Sequence, residues 1–119
     1  MEKYFLTAVL SLLAFSIPVK TQQPLMGLIQ GRIVDQKHAP IPNATLTVTN
    51  IDAVEPESSR RTTGTDDKGF YEFIDVPEGR YSIIVKKKGY RDYEIPEVTL
   101  RGSETLNMPE IKMSPAAGR

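Results

Sequence analysis

The residue types that catalyse reactions or bind metals are sparse in this chain. Its 119 residues include no cysteine, which removes thiol nucleophiles and thiolate metal ligands. His38 is the only histidine, and no second ligand stands at a recognisable zinc spacing from it. We therefore interpret His38 as a solvent-exposed loop residue, and we predict no metal and no cofactor.

Carboxylates and hydroxyls are the other candidates for chemistry. Asp66 and Asp67 could form an acid/base pair or a calcium corner, but adjacent residues in a turn point apart, and an EF-hand needs further oxygen ligands at fixed spacing. We expect Asp66 instead to accept backbone N–H bonds in a turn. Ser58, Ser59 and Ser103 lie outside any G-x-S-x-G elbow. The sequence therefore predicts no catalytic residue and no enzymatic activity.

Two other groups of residues could bind a ligand without catalysis. Phe70, Tyr90 and Tyr93 lie at strand or loop ends, and exposed aromatic faces can stack on sugar rings. Packing at the rim of the core is the alternative for these three side chains. The run of lysines at 86–88 could contact anionic groups, or it could be the solvated end of a strand that protects a sheet edge.

The N-terminal twenty residues have the pattern of a secretory signal peptide. A short, weakly positive start precedes residues 4–17, which carry no charge. As a helix these fourteen residues would span only about 21 Å, less than a bilayer core, and that length suits a signal. Ala14 and Ser16 provide a small-x-small cleavage pattern. We predict a signal-peptide helix at 1–20, with a retained N-terminal anchor as the alternative.

The charge balance gives no electrostatic reason to expect a nucleic acid or a membrane as partner. The chain carries 15 basic and 15 acidic residues. Removal of residues 1–20 leaves 13 basic and 14 acidic residues, a net charge of −1. We therefore predict no nucleic-acid partner and no stable membrane insertion after signal cleavage.

Short runs with a period of two dominate the rest of the chain. At residues 44–50, Leu46 and Val48 alternate with threonines, which is typical of a strand with one buried face. No stretch shows sustained helical periodicity with caps. The pattern predicts seven strands, at residues 28–35, 44–50, 60–65, 70–76, 80–87, 93–100 and 104–113.

Turn-forming residues separate these runs. Residues predicted to form structural turns are Asn43, Asp66, Gly69, Gly79 and Gly89. Pro96 and Pro109 lie inside predicted strands, and proline cannot donate to a ladder, so we expect edge positions or bulges there. The apolar parity shifts across Pro109, as a bulge requires.

Seven short strands with frequent turns predict an all-β, seven-strand antiparallel Greek-key sandwich. The predicted organisation is a signal peptide at 1–20, a linker at 21–27, the sandwich at 28–113 and a disordered tail at 114–119.

Five motifs in order along the chain resemble those of the carboxypeptidase regulatory-like domain, a transthyretin-like and carbohydrate-binding-like β-sandwich. The matching segments are 31–35 (GRIVD), 40–44 (PIPNA), 65–73 (TDDKGFYEF), 76–81 (VPEGRY) and 89–90 (GY). Asn43 stands where the family often has glycine, and asparagine is the next best residue for left-handed backbone.

The resemblance implies an accessory rather than a catalytic role. In carboxypeptidases such a domain lies beside the catalytic one, whose metal ligands and glutamate have no counterpart here. Elsewhere it precedes outer-membrane receptors or stands alone in exported bacterial proteins. The leading hypothesis is an exported, non-catalytic domain, secreted, periplasmic or at the cell surface, that mediates protein contacts in a bacterial cell envelope. The alternatives are a carbohydrate-binding module that uses exposed tyrosines on a polysaccharide, and a regulatory domain for a separate peptidase chain.

Overall fold

The computed structural model describes residues 25–116, which form eight β-strands and one 3₁₀ helix. The strands are β1 (Met26–Val34), β2 (Thr45–Asn50), β3 (Arg61–Gly64), β4 (Phe70–Pro77), β5 (Gly79–Lys86), β6 (Tyr93–Leu100), β7 (Thr105–Asn107) and β8 (Ile111–Lys112). The 3₁₀ helix is Pro56–Ser59, in the acidic loop between β2 and β3. The signal peptide predicted at 1–20 lies outside the described residues.

The strands form two four-stranded sheets. The first sheet has the order β4-β1-β7, with β8 also paired to β1, and the second has the order β3-β2-β5-β6. The chain crosses between the sheets at the β1–β2, β3–β4, β4–β5 and β6–β7 connections, as expected of a Greek-key sandwich. The predicted all-β sandwich is therefore confirmed. Among residues 25–116 no helix is long and apolar enough to cross a bilayer.

The core lies between the sheets and follows from the alternation in the sequence. In β2, Leu46 and Val48 are fully buried, and in β5 so are Ile83 and Val85. Burial of each such side chain is worth about 1.5–3 kcal/mol. The same alternation leaves every second residue of each strand on an outer face, where contacts with other molecules can form.

The last predicted strand differs most from the structure. Residues 104–113 form two short strands, β7 and β8, and both run parallel to β1 rather than antiparallel. From the pair Gln30↔Asn107 to the pair Ile33↔Ile111, β1 advances by three residues and the β7–β8 segment by four. The β7–β8 segment thus contains one extra residue, and the shift predicted at Pro109 is present. Proline has no N–H to donate, which explains the break. The antiparallel expectation is wrong here because β7 enters the first sheet by crossing over from β6.

The sandwich also extends beyond its predicted ends. β1 begins at Met26, so Met26 and Gly27 belong to a strand rather than to the predicted linker. At the other end, residues 114–116 are hydrogen-bonded and not a disordered tail. Arg91 N donates to Ser114 O at 2.9 Å, and Ala116 N donates to Gly89 O at 2.9 Å. These backbone bonds satisfy groups that the sequence pattern alone does not pair.

Two aspartates organise the turns at one end of the first sheet. Asp35 Oδ1 accepts the N–H of Ala39 at 2.9 Å and of Lys37 at 2.8 Å, and these bonds hold the pKa of Asp35 below its ordinary value. Asp66 Oδ1 accepts the N–H groups of Lys68 and Phe70, each at 2.9 Å. Each carboxylate thus fixes the backbone that leaves or enters a strand of the first sheet.

Candidate functional site

The outer face of the first sheet carries a mixed aromatic, charged and amide surface. Strand alternation turns these side chains away from the core on β4, β1 and the β7–β8 segment. We define the outer face as Gln30, Arg32, Phe70, Glu72, Ile74, Asn107 and Glu110.

Arg32 is held in place at the centre of this face. Its Cζ lies 5.4 Å from the centroid of the Phe70 ring, a cation–π distance. Its Nε donates to Lys68 O at 3.0 Å, and its Nη1 lies 3.5 Å from Glu110 Oε2. The guanidinium is therefore ordered over an aromatic ring that remains 50% exposed.

Two amide side chains extend the polar part of the surface. Gln30 Nε2 donates to Asn107 Oδ1 at 2.7 Å, across the parallel pairing of β1 and β7. The remaining donors and acceptors of both amides face outward, where they can bond to another molecule.

Strand β4 also presents an open backbone edge. Ile33 N donates to Gly69 O at 2.8 Å, and Phe70 bonds through its own N and O to Asp66. Before the register shift between Phe73 and Val76, the backbone N–H and C=O groups of odd-numbered residues therefore face β1, and those of even-numbered residues face away. Ile74 O, on that free side, accepts Arg61 Nη1 at 3.1 Å. The N–H and C=O of Glu72 point the same way, between the exposed side chains of Phe70 and Ile74. The open backbone edge of β4 is therefore short, and at Glu72 it can form main-chain hydrogen bonds with another extended chain.

A depression on this face is lined in part by a tyrosine whose hydroxyl is buried without a partner among the described residues. Gly31, Phe70, Glu72 and Asn107 are among its lining residues, and so is Tyr71, only 3% exposed. The Tyr71 hydroxyl is buried with no hydrogen-bond partner in the described part of the chain. Burial raises the pKa of Tyr71 to about 12.

Gly31 makes room for this hydroxyl. A Cβ at Gly31 would lie 2.6 Å from the Tyr71 oxygen and 2.9 Å from its Cζ, closer than real Cβ atoms approach. The glycine of the GRIVD motif is thus required by the tyrosine of the TDDKGFYEF motif, directly across the strand pairing.

The predicted contact residues do not come together. Phe70 lies on the outer face of the first sheet. Tyr90 is half-buried after β5, where it packs against the core and bridges to Pro115. Tyr93 is 38% exposed at the start of β6, an edge strand of the second sheet.

The predicted turn residues differ in their backbone conformation. The φ angles are 56° at Asn43, 80° at Gly69 and 91° at Gly89, whereas Gly79 is the first residue of β5 and has a φ of 154°. At Gly69 an added Cβ would collide with Ile33 O, and the residue that carried it would have a disfavoured positive φ. Both effects limit this position to glycine.

Sequence reasoning missed Ile74, which is 59% exposed and shares the outer face with Phe70. An apolar residue at an outward position of the alternation in β4 was the available signal. The partners of Arg32 and Gln30 had no such signal, because strand alternation does not say which distant strand lies beside β1.

His38 lies at the rim of the outer face. Its Nδ1 is 3.6 Å from Glu110 Oε1, and its side chain is 64% exposed. Within residues 25–116 no three His, Asp or Glu side chains are grouped so as to hold a metal ion. What the described face offers is an aromatic ring, a guanidinium, amides and carboxylates, which are groups for non-covalent contacts.

Residues 28–114 match the carboxypeptidase regulatory-like domain family. The chain belongs to this family. The match runs from the third residue of β1 to beyond β8 and confirms the resemblance carried by the five motifs. No curated protein matches the chain in sequence.

Solved structures with the same fold come from proteins of different kinds. The chain is similar to the Bacillus anthracis TIE protein (22% identity, TM-score 0.62, 76% of this chain and 17% of that one). It is also similar to BcpA, the major pilin subunit of Bacillus cereus (17%, 0.60, 78% and 31%). A third neighbour is 3-chlorocatechol 1,2-dioxygenase from Rhodococcus opacus (11%, 0.63, 82% and 63%). The chain spans less than two thirds of each of these proteins, and identities this low show the fold alone.

Proposed function

We propose that this chain is an exported, non-catalytic interaction domain that binds an envelope protein through the outer face of its first sheet. The observation that carries the proposal is the combination of an open β4 edge at Glu72 with exposed apolar side chains, Phe70 and Ile74, on either side of it. An extended segment of a partner can add to such an edge by main-chain hydrogen bonds, while the flanking side chains select its sequence.

The composition of the outer face suits a protein partner. Arginine and aromatic residues supply most of the binding energy in protein interfaces, and here Arg32 is already ordered on Phe70. Preordering lowers the entropy lost on binding. Truncation of a central aromatic of this kind costs about 2 kcal/mol, roughly a thirtyfold loss of affinity.

Three observations support the exported and accessory part of the proposal. Residues 4–17 have the length and charge pattern of a signal peptide. The family to which the chain belongs is a regulatory-like domain, not a catalytic one. One structural neighbour is a pilin subunit, an assembly protein by its name.

The test is capture of a partner by the full chain, expressed with a C-terminal tag in its own cells and recovered from the envelope fraction. The double variant Phe70→Ala/Ile74→Ser should lose the captured protein. Val54→Ser is the matched control, because Val54 is 98% exposed but lies in the β2–β3 loop, away from the outer face.

Capture that survives in the double variant, or that Val54→Ser abolishes equally, would contradict the assignment of the surface. A peptidase as the captured protein would identify the contact as regulation of that enzyme. Recovery of the chain only from the cytoplasm would contradict export.

A further inference from the structure

A second surface, on the opposite sheet, has a different chemistry. Residues 86–92 contain four cationic side chains and a single carboxylate, although the whole chain is neutral. Three of the cations, Lys86, Lys87 and Lys88, line a shallow depression at the end of β5 together with Tyr90 and Asp92. We call this depression, completed by Asn43, Thr45 and Gly89, the lysine depression.

The lysine depression is built on a fixed turn. Tyr90 N donates to Lys87 O at 2.9 Å, and Gly89 has a φ of 91°, which are the marks of a tight turn with glycine at its third position. Two further backbone bonds hold the turn from its other side. Arg91 N donates to Ser114 O, and Ala116 N donates to Gly89 O. Lysine side chains on an ordered backbone can act together on one ligand.

The cations of the depression have little internal compensation. The one ion pair found there among the described residues joins Lys86 Nζ to Asp92 Oδ2 at 3.9 Å, with both side chains more than 60% exposed. An exposed pair at that distance is worth well under about 1 kcal/mol and yields readily to a stronger anion. Lys87 and Lys88 form no ion pair within residues 25–116, so their charge is free for a ligand.

Uncharged groups beside the lysines narrow the class of ligand. The amide of Asn43 and the hydroxyl of Thr45 are exposed and make no side-chain hydrogen bond in the described part of the chain. Tyr90 is half-buried, packs against the core and also lines the depression with part of its aromatic side chain. Cations, hydrogen-bonding groups and an aromatic face together fit a sugar that carries acid groups.

We propose that the lysine depression binds an acidic polysaccharide. The lysines would pair with its carboxylates, Asn43 and Thr45 would bond to its hydroxyls, and Tyr90 would contact a ring face. The depression is open and shallow, which suits a polymer that passes across it better than a small anion that must be enclosed. The space beside Gly89 is open as well, because no atom lies within 4 Å of the position that a Cβ would take there. This activity is independent of the protein contact proposed for the outer face.

The experiment measures binding of the full chain to polygalacturonate by affinity electrophoresis, with uncharged dextran, phosphatidylglycerol vesicles and duplex DNA as competing probes. We expect retardation by polygalacturonate at low salt, none by dextran, and loss of binding near 1 M salt, where the screening length falls to about 3 Å. Vesicles and DNA should compete more weakly, because they lack pyranose rings for Tyr90.

Matched variants locate the site. Lys87→Gln/Lys88→Gln should weaken binding about tenfold, from two surface pairs of up to about 1 kcal/mol each. Lys37→Gln/Lys112→Gln removes the same charge from exposed lysines outside the depression and should stay within about twofold. Tyr90→Leu should weaken binding about threefold to tenfold while Tyr90→Phe does not.

Four results would overturn the proposal: no retardation at low salt, equal retardation by dextran, equal weakening in the two lysine pairs, or tighter binding to vesicles or DNA. Unfolding midpoints of the variants show that the fold is intact. None of these substitutions changes one of the seven residues that define the outer face, so a failure here leaves the protein-capture result unaffected.

Discussion

The orphan hydroxyl of Tyr71 gives the sharpest prediction about stability, because the chain contains its own control. Tyr71 and Tyr81 are both 3% exposed in the same core. The Tyr81 hydroxyl donates to Pro77 O at 2.6 Å, whereas the Tyr71 hydroxyl has no partner within residues 25–116. Removal of each oxygen by Tyr→Phe should therefore change the free energy of unfolding in opposite directions.

The magnitudes follow from the cost of burying a polar group. A buried hydroxyl without a partner costs about 1–3 kcal/mol of desolvation, so Tyr71→Phe should stabilise the fold by about 1 kcal/mol. Tyr81→Phe gives up a hydrogen bond and leaves the Pro77 carbonyl unsatisfied, so it should destabilise by about 1 kcal/mol. With a urea m-value of about 2 kcal/mol/M, the midpoints should move by roughly 0.5 M, upward for Tyr71→Phe and downward for Tyr81→Phe.

The assay is urea unfolding followed by circular dichroism on the two variants and the parent chain. A fall of the midpoint in Tyr71→Phe, equal to that in Tyr81→Phe, would refute the reasoning. It would mean that the Tyr71 hydroxyl is hydrogen-bonded in solution.

Three further predictions use the same unfolding assay. Gly31→Ala should destabilise by about 1–3 kcal/mol through contact with the Tyr71 oxygen, and Tyr71→Phe should recover part of that loss; a strictly additive double variant would contradict it. Thr65→Val should cost about 2 kcal/mol or more, because the buried hydroxyl bonds at 2.7 and 2.8 Å to two backbone groups of loop 41–44; an unchanged midpoint would show those bonds to be unimportant. The lowered pKa of Asp35 means that its ionised carboxylate stabilises the fold above the unfolded-state pKa of about 3.8, and that this stabilisation is lost as the pH falls below that value. The Asp35→Asn variant should therefore lose less stability than the parent chain between about pH 6 and pH 3. Equal losses of stability in acid would contradict this prediction.

Most of the core was predictable from alternation alone. Leu46, Val48, Tyr81, Ile83 and Val85 occupy every second position of their strands, and all are buried. The residues between them are polar except Ile84. Alternation is a local property, because successive side chains of a strand point to opposite faces whatever strand lies beside them. It therefore fixes which residues turn inward.

The arrangement of the candidate site was not predictable in the same way. The Gln30–Asn107 bond joins residues 77 positions apart, and it depends on the parallel pairing of β1 with β7. Local patterns do not specify which strands pair or in which direction. Phe70 was identified from its residue type and position, but Arg32 became its neighbour only through the register of β1 with β4.

The predicted turns lie between these two cases, because their backbone conformation was predictable from the sequence but their contacts were not. Asn43, Gly69 and Gly89 carry conformational preferences of their own, so their positive φ angles follow from residue type. What residue type could not show is that the turn at Gly89 is bonded to Ala116, since this contact depends on the path of the last residues of the chain.

Site-specific photo-crosslinking in the native cells tests the central claim most directly. A photoreactive phenylalanine analogue in place of Phe70 should give a discrete crosslinked band in the envelope fraction, whereas the same analogue in place of Val54 should give none. Crosslinks of equal strength from both positions, or from Val54 alone, would contradict the claim that the outer face of the first sheet is the surface that contacts a partner protein.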